Sequence, residues 1–204
     1  MQSPTHSLIA LAILAKRENP KQNWAILLGS IVPDAFIYVC WVWLTFIKGH
    51  SQSEIWRDIY FNDPMQLTGA IFNSAPIYIG LALLCFWQRK KTWGKLLLFF
   101  ALAALIHLAM DLPVHADDAH RHFWPLSNWR YYSPLSYWDN DHNAQWVGLV
   151  EAIIASIAIF VLWRRFPKVW VRVVLGLFAL FYIGNQFLIS VSYTHLTLPT
   201  ILLV

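Results

Sequence analysis

Half of the protein's eight histidines and three of its aspartates fall in one stretch: His107, Asp111, His115, Asp117, Asp118, His120 and His122. Imidazoles and carboxylates at this density are ligands for a divalent metal, with zinc first among those that take mixed nitrogen and oxygen donors. His107 and Asp111 are spaced i, i+4 and therefore project from one face of a helix. Pro113 ends that helix, which lets His115 turn back toward the same centre. The helix thus fixes two ligands and the bend supplies a third from a new direction. A buried His–Asp pair bridging two helices would use the same first two residues, but the five further histidines and aspartates favour a metal. Within them, His107, Asp111 and His115 read as inner ligands, and residues 117–122 as an outer rim that gates, binds substrate or supplies a base.

Two carboxylates elsewhere stand inside apolar runs, where an ionisable group is costly and normally partnered. Asp34 follows Pro33 and is expected either to ligate the metal or to stay neutral against a helix broken at Gly29–Ser30. Glu151 poses the same choice beside Gly148, and with Asp118 it is a candidate general base. His6 gains weight from its place opposite Asp34 in a predicted helical hairpin. His50 has no acidic neighbour that fits and reads as surface, and Asp139 and Asp141 read as turn contacts around Asn140. The expected set is therefore His6, Asp34, His107, Asp111 and His115 as metal ligands, with Asp118 and Glu151 as catalytic carboxylates.

The elements that must position these residues are membrane helices. Of 204 residues, 58% are hydrophobic and 13% are charged, against about 25% charged in soluble domains. The net charge of +4 lies in short basic clusters between apolar runs, which is a topology signal and not a nucleic-acid footprint. Cys40 and Cys85 are isolated and define no disulfide framework. Residues 6–15 form a short apolar helix after Ser3-Pro4, too short to cross a bilayer. Five spans follow, near residues 23–47, 69–87, 96–112, 144–163 and 172–190, the first interrupted at Gly29 and Pro33-Asp34. A polar connection covers residues 48–68 and an aromatic loop residues 123–142. Within that loop, Pro125-Leu-Ser-Asn-Trp129 is echoed by Pro134-Leu-Ser-Tyr-Trp138, a small repeated turn unit. The expected fold is an all-α polytopic membrane bundle of about five spans plus an N-terminal half-helix, one domain over residues 1–190.

Basic clusters near residues 16–21, 88–95 and 164–172 alternate with less basic connections. By the positive-inside rule, the histidine stretch then faces away from the cytoplasm. Residues 191–200, Val-Ser-Tyr-Thr-His-Leu-Thr-Leu-Pro-Thr, resemble the in-frame translation of a sequencing adapter, so residues 191–204 read as a non-native tail and His195 is left out of the site.

The order His6, Pro33-Asp34, His107-x-x-x-Asp111 and a following histidine resembles the YdjM-like family of bacterial inner-membrane metal-dependent hydrolases. More remotely, His107-x-x-x-Asp111 with Pro113 and His115 is similar to the ligand motif of zinc-dependent phospholipase C and related single-strand nucleases. That superfamily holds a zinc cluster in an all-helical bundle and cleaves phosphoesters. The resemblance implies a phosphoester substrate, and a site at the outer membrane–water boundary suits a lipid or lipid-linked one. The chain departs from the YdjM-like pattern at Phe72-Asn-Ser-Ala-Pro76, where a His-Arg-Gly…Thr-His stretch is expected, so it implies one or two metals and not three. No glycine-rich phosphate loop, nucleophile elbow or H-E-x-x-H motif is present. A metal or proton transporter using Asp34, Asp111 and Glu151 as a relay is the competing expectation, together with a membrane protein that binds metal without turnover.

Overall fold

The computed structural model describes residues 1–184, and these form an all-helical bundle. The helices are α1 (Ser3–Leu14), α2 (Pro20–Val42), α3 (Gln52–Glu54), α4 (Asp63–Phe72), α5 (Ala75–Trp87), α6 (Thr92–Asp111) and α7 (Ala144–Arg165). A further helix, α8 (Val169–Gly184), closes the described chain. The end of the fifth expected span and the tail at residues 191–204 lie outside the described residues. Four stretches have the length and apolarity to cross a membrane: Pro20–Ile47, Asp63–Trp87, Thr92–Val114 and Ala144–Arg165. Large apolar side chains such as Val39, Leu84, Trp87, Phe160 and Leu180 point outward from the bundle, as the outer surface of a lipid-embedded protein requires. This is a helical membrane bundle.

α1 and α2 form the expected hairpin. Asn23 donates from Nδ2 to the Lys16 carbonyl at 2.8 Å and accepts the Lys16 N–H at 3.0 Å, locking the basic turn. Arg165 donates to the Leu11 and Ala15 carbonyls at 3.3 and 2.7 Å, satisfying the end of α1. The basic turns of residues 18–22 and 89–96 line one shared cavity, and Arg17 lies with Lys168 in another. The basic clusters therefore gather at one end of the bundle.

The interruption expected in the first span is a correction. α2 runs unbroken through Pro33 for 23 residues. Proline removes only its own donor, and neighbouring helices can satisfy the carbonyls around it. Gly29 is a packing position: a Cβ there would collide with the Phe100 backbone carbonyl, so α2 and α6 touch backbone to backbone. The discontinuity lies in the second crossing, at Asn73–Ser74 between α4 and α5. Asn62 and Ser74 cap these two helices by accepting the Met65 and Ile77 N–H groups at 3.0 and 3.2 Å. The connection expected over residues 48–68 is correspondingly shorter, because α4 begins at Asp63.

Candidate metal centre

The close approach of α2 and α6 at Gly29 sets the register of the site one to two turns further along both helices. His107 Nδ1 lies 2.8 Å from the Ser30 carbonyl oxygen. A carbonyl only accepts, so Nδ1 carries the proton and Nε2 faces the other way. That Nε2 stands 3.0 Å from Asp111 Oδ2 and 3.4 Å from Asp34 Oδ1. Both helices thus use one bond, at the turn Pro33 leaves short of a donor, to aim an imidazole at two carboxylates.

α1 enters from the opposite direction. The His6 ring stacks on His107 with centroids 3.7 Å apart, and His6 Nε2 lies 3.0 Å from Asp111 Oδ1. Both His6 nitrogens and His107 Nε2 are buried with no aligned hydrogen-bond partner. The three intramembrane carboxylates all converge on the first residues of α1. Glu151 accepts the Gln2 N–H at 2.9 Å and the Thr5 hydroxyl. Asp34 accepts from the Ser3 hydroxyl, and the Met1 amino group lies 3.0 Å from Asp111 Oδ1. The positive end of a helix dipole and its free N–H groups favour such a gathering.

After the 3-10 turn Leu112–Val114, the chain bends as Pro113 requires and brings His115 Nε2 to 3.4 Å from Asp111 Oδ1. His115 Nδ1 donates to Asp118 Oδ2 at 3.0 Å, and Trp138 Nε1 donates to the same oxygen at 3.1 Å. Asp118 Oδ1 is buried without a partner. Burial opposes a charge on His115, but the Asp111 and Asp118 carboxylates outweigh it and push its pKa up to about 9. Burial, followed by the charge on His115, drives His120 down to about 3. His120 is therefore a neutral, ligand-competent ring, whereas His115 must release its Nε2 proton before that nitrogen can ligate.

One group of three near the surface, Asp117, Asp139 and His142, and two buried groups can each offer ligand atoms within metal reach; the buried two are His6, His107 and Asp111, and Asp111, His115 and His120. They share Asp111. With metal–ligand bonds of about 2.0–2.2 Å at tetrahedral angles, neighbouring ligand atoms stand roughly 3.3–3.6 Å apart, close to the 3.0–3.4 Å separations observed here. The donor set fits one or two divalent ions.

All seven expected site residues are buried. Four gather around the fifth, Asp111, with Asp118 one bond behind His115 and Glu151 tied to the start of α1. The outer rim needs correction. Asp117 is exposed, but His120 and His122 are buried, and His120 belongs to the second ligand group. His50 is also corrected, since it pairs with Glu54 at 2.8 Å. In the aromatic loop, Ser127 and Ser136 each accept the N–H of the tryptophan two residues on, at 3.1 and 3.3 Å. The repeated turn therefore exists, but only its second copy delivers a tryptophan to the site.

Asn73 and Ser74 entered the sequence reading only as a departure from the YdjM-like pattern, with no role in the site. Asn73 Nδ2 donates to the Pro33 and Gly69 carbonyls at 3.3 and 3.2 Å, and its own carbonyl receives His122 Nδ1 at 3.1 Å. Ser74 donates to the Trp124 carbonyl. These bonds fasten the histidine loop to the break in the second crossing. An Asn-Ser pair two residues before Pro76 in an apolar run was the available signal: a buried cap inside a span.

Comparison of the chain with family models, with curated proteins and with solved structures finds no match.

Proposed function

We propose that this is a membrane-bound metal-dependent hydrolase that cleaves an ester or phosphoester, with a membrane lipid or lipid-linked molecule as substrate. One observation carries the reading. At His107 the Nδ1 proton is committed to a carbonyl, so a ring nitrogen with a lone pair faces the Asp111 and Asp34 carboxylates in a buried place. Neutral His6 adds one more lone pair, since neither of its nitrogens has an aligned partner and only one carries a proton. Such acceptors repel unless a proton or a cation lies among them, burial makes that repulsion strong, and the Met1 amino group meets one oxygen, Asp111 Oδ1.

His6, Asp34, His107 and Asp111 would hold one ion, and Asp111, His115 and His120 a second. Zinc suits the donor set. A divalent ion here supplies Lewis acidity, which activates water at neutral pH and polarises a phosphoryl or ester oxygen. Asp118 keeps His115 in one tautomer through Oδ2, and its free Oδ1 is the oxygen available to accept a proton. Glu151 holds Gln2 and Thr5 and so fixes the helix that carries His6. The gathering of Asp34, Asp111 and Glu151 at one end of α1 supports a single centre over a relay through both leaflets. The basic clusters at the other end support placing the site on the face away from the cytoplasm of a bacterial inner membrane. The resemblance to YdjM-like proteins belongs to the same reading.

The test is metal analysis of the purified chain beside His107→Ala and Asp111→Ala, followed by a phosphoesterase and esterase screen with the same variants. Stoichiometric metal and metal-dependent turnover, both lost in the variants, are expected. Metal-free wild type, or variants that retain the metal, would sink the reading, and metal without turnover would leave a binding protein.

A further inference from the structure

A second feature lies along the other flank of α1. A cavity of about 580 Å³ runs between α1, α2 and α8, within the ~300–1,000 Å³ range of small-molecule sites. Its walls are Leu8, Leu11, Leu27, Val174, Leu175 and Phe178. At one end it is lined by Arg17 and Lys168, with Trp24 and Trp170 beside them, both more than half exposed. At the other end it stops at Ser3 and Tyr38, whose hydroxyls are 2.7 Å apart and occupied with each other and with Asp34.

We infer that this groove is a binding site for an anionic phospholipid of the basic-side leaflet, with its phosphate on Arg17 and Lys168 and one acyl chain lying along α1. Three observations select this occupant. The two cations have no carboxylate partner within ion-pair distance among the described residues, and they sit where the other basic turns of the bundle gather. The two exposed tryptophans mark that end as headgroup level, because indole rings favour the membrane–water boundary. The wall between is apolar apart from Ser7, whose hydroxyl is engaged with Ser30, and it follows α1, whose 12 residues rise about 18 Å, close to the ~15 Å of one hydrocarbon leaflet. A substrate tail with its head at the metal centre would instead end against the two cations, which offer a methyl terminus nothing.

The inference does not depend on the hydrolase reading. It gives the lipid a structural role, because α1 is too short to span and the acyl chain in the groove supplies the wall that α2 and α8 leave open beside it.

The test is native mass spectrometry of the full chain in nanodiscs containing dimyristoyl phosphatidylglycerol or dimyristoyl phosphatidylcholine. These lipids share chains and differ in net charge. Two headgroup-level cations predict a preference of roughly thirtyfold for phosphatidylglycerol. Arg17→Gln with Lys168→Gln should abolish the preference. Val174→Trp, a change on a lipid-facing position, should fill the groove and reduce retention of both lipids. Equal retention of the two lipids by the wild type overturns the assignment, as does a preference that survives the double charge variant. Retention that ignores the charge variant but is lost on metal chelation also overturns it, and would place the head at the metal centre.

Discussion

The imidazoles of His6 and His107 lie face to face, centroids 3.7 Å apart and planes inclined by 18°, although one comes from α1 and the other from α6. Two imidazolium rings cannot stay stacked in a buried place, because like charges at that distance repel strongly in a low dielectric. A single cation serving both rings removes the conflict. His6→Ala and His107→Ala should therefore lose the same ion, each lowering metal affinity by more than the ~10–100-fold cost of losing an orienting partner. The double variant should be little worse than either single one. Chelator competition measures all three, and additive losses would contradict a shared ion.

Asp118→Asn separates positioning from proton transfer. An amide oxygen can still accept from His115 Nδ1 and Trp138 Nε1, the two donors that Asp118 Oδ2 now receives at 3.0 and 3.1 Å. Metal content should then be retained while kcat falls by about 10²–10⁴, the usual worth of a general base. Loss of the metal in Asp118→Asn would assign the carboxylate to ligand orientation alone.

His120→Ala reports the number of ions. It removes a ligand from the group shared with Asp111 and His115 and leaves His6 and His107 in place. A two-ion centre should fall to one ion per chain by elemental analysis, and a one-ion centre should keep its content.

That His107, Asp111 and His115 come together was legible because their signals are local. The i, i+4 spacing of His107 and Asp111 and the proline after them encode a direction within one helix, and carboxylates in apolar runs advertise a partner. What spacing does not carry is depth and packing. His120 looked solvated because it lies in a polar loop, yet the loop folds inward once Asn73 and Ser74 hold His122 and Trp124. Gly29 and Pro33 looked like a break because both weaken a helix in isolation. In the bundle, Gly29 is where another helix touches, and that contact is invisible in one segment. The role of Asn73 went unnoticed for the same reason: its bonds reach Pro33, forty residues away in sequence.

Gly29→Ala tests that contact. The added methyl would meet the Phe100 carbonyl, and backbone cannot step aside as a side chain can. Overpacking of this kind costs about 1–3 kcal/mol, and moving α6 from α2 should also pull His107 off the Ser30 carbonyl. Thermal unfolding in detergent should show the lower stability and metal analysis a weakened site. Gly80→Ala is the control, because an added Cβ there meets nothing within 4 Å. Equal behaviour of the two variants would remove Gly29 from the account of the site.

The pair His142–Asp139 makes a prediction about pH away from the spans. Its Nδ1 and Oδ2 are 2.6 Å apart, just before α7. The Asp139 carboxylate raises the His142 pKa above the ordinary 6.5, and the same bond to His142, followed by the Asp141 N–H, holds Asp139 below 3.8. The raised histidine contributes stability that is complete below pH 6.5 and is lost as pH rises through its higher folded value. The lowered aspartate contributes stability that is present above pH 3.8 and is lost as pH falls through its lower one. The pair is thus fully formed between these two ordinary values, in mildly acidic solution. Histidine-selective NMR titration should find His142 above 6.5 in the wild type and shifted down toward it in Asp139→Asn. An unchanged midpoint would mean that the contact does not persist in the folded protein.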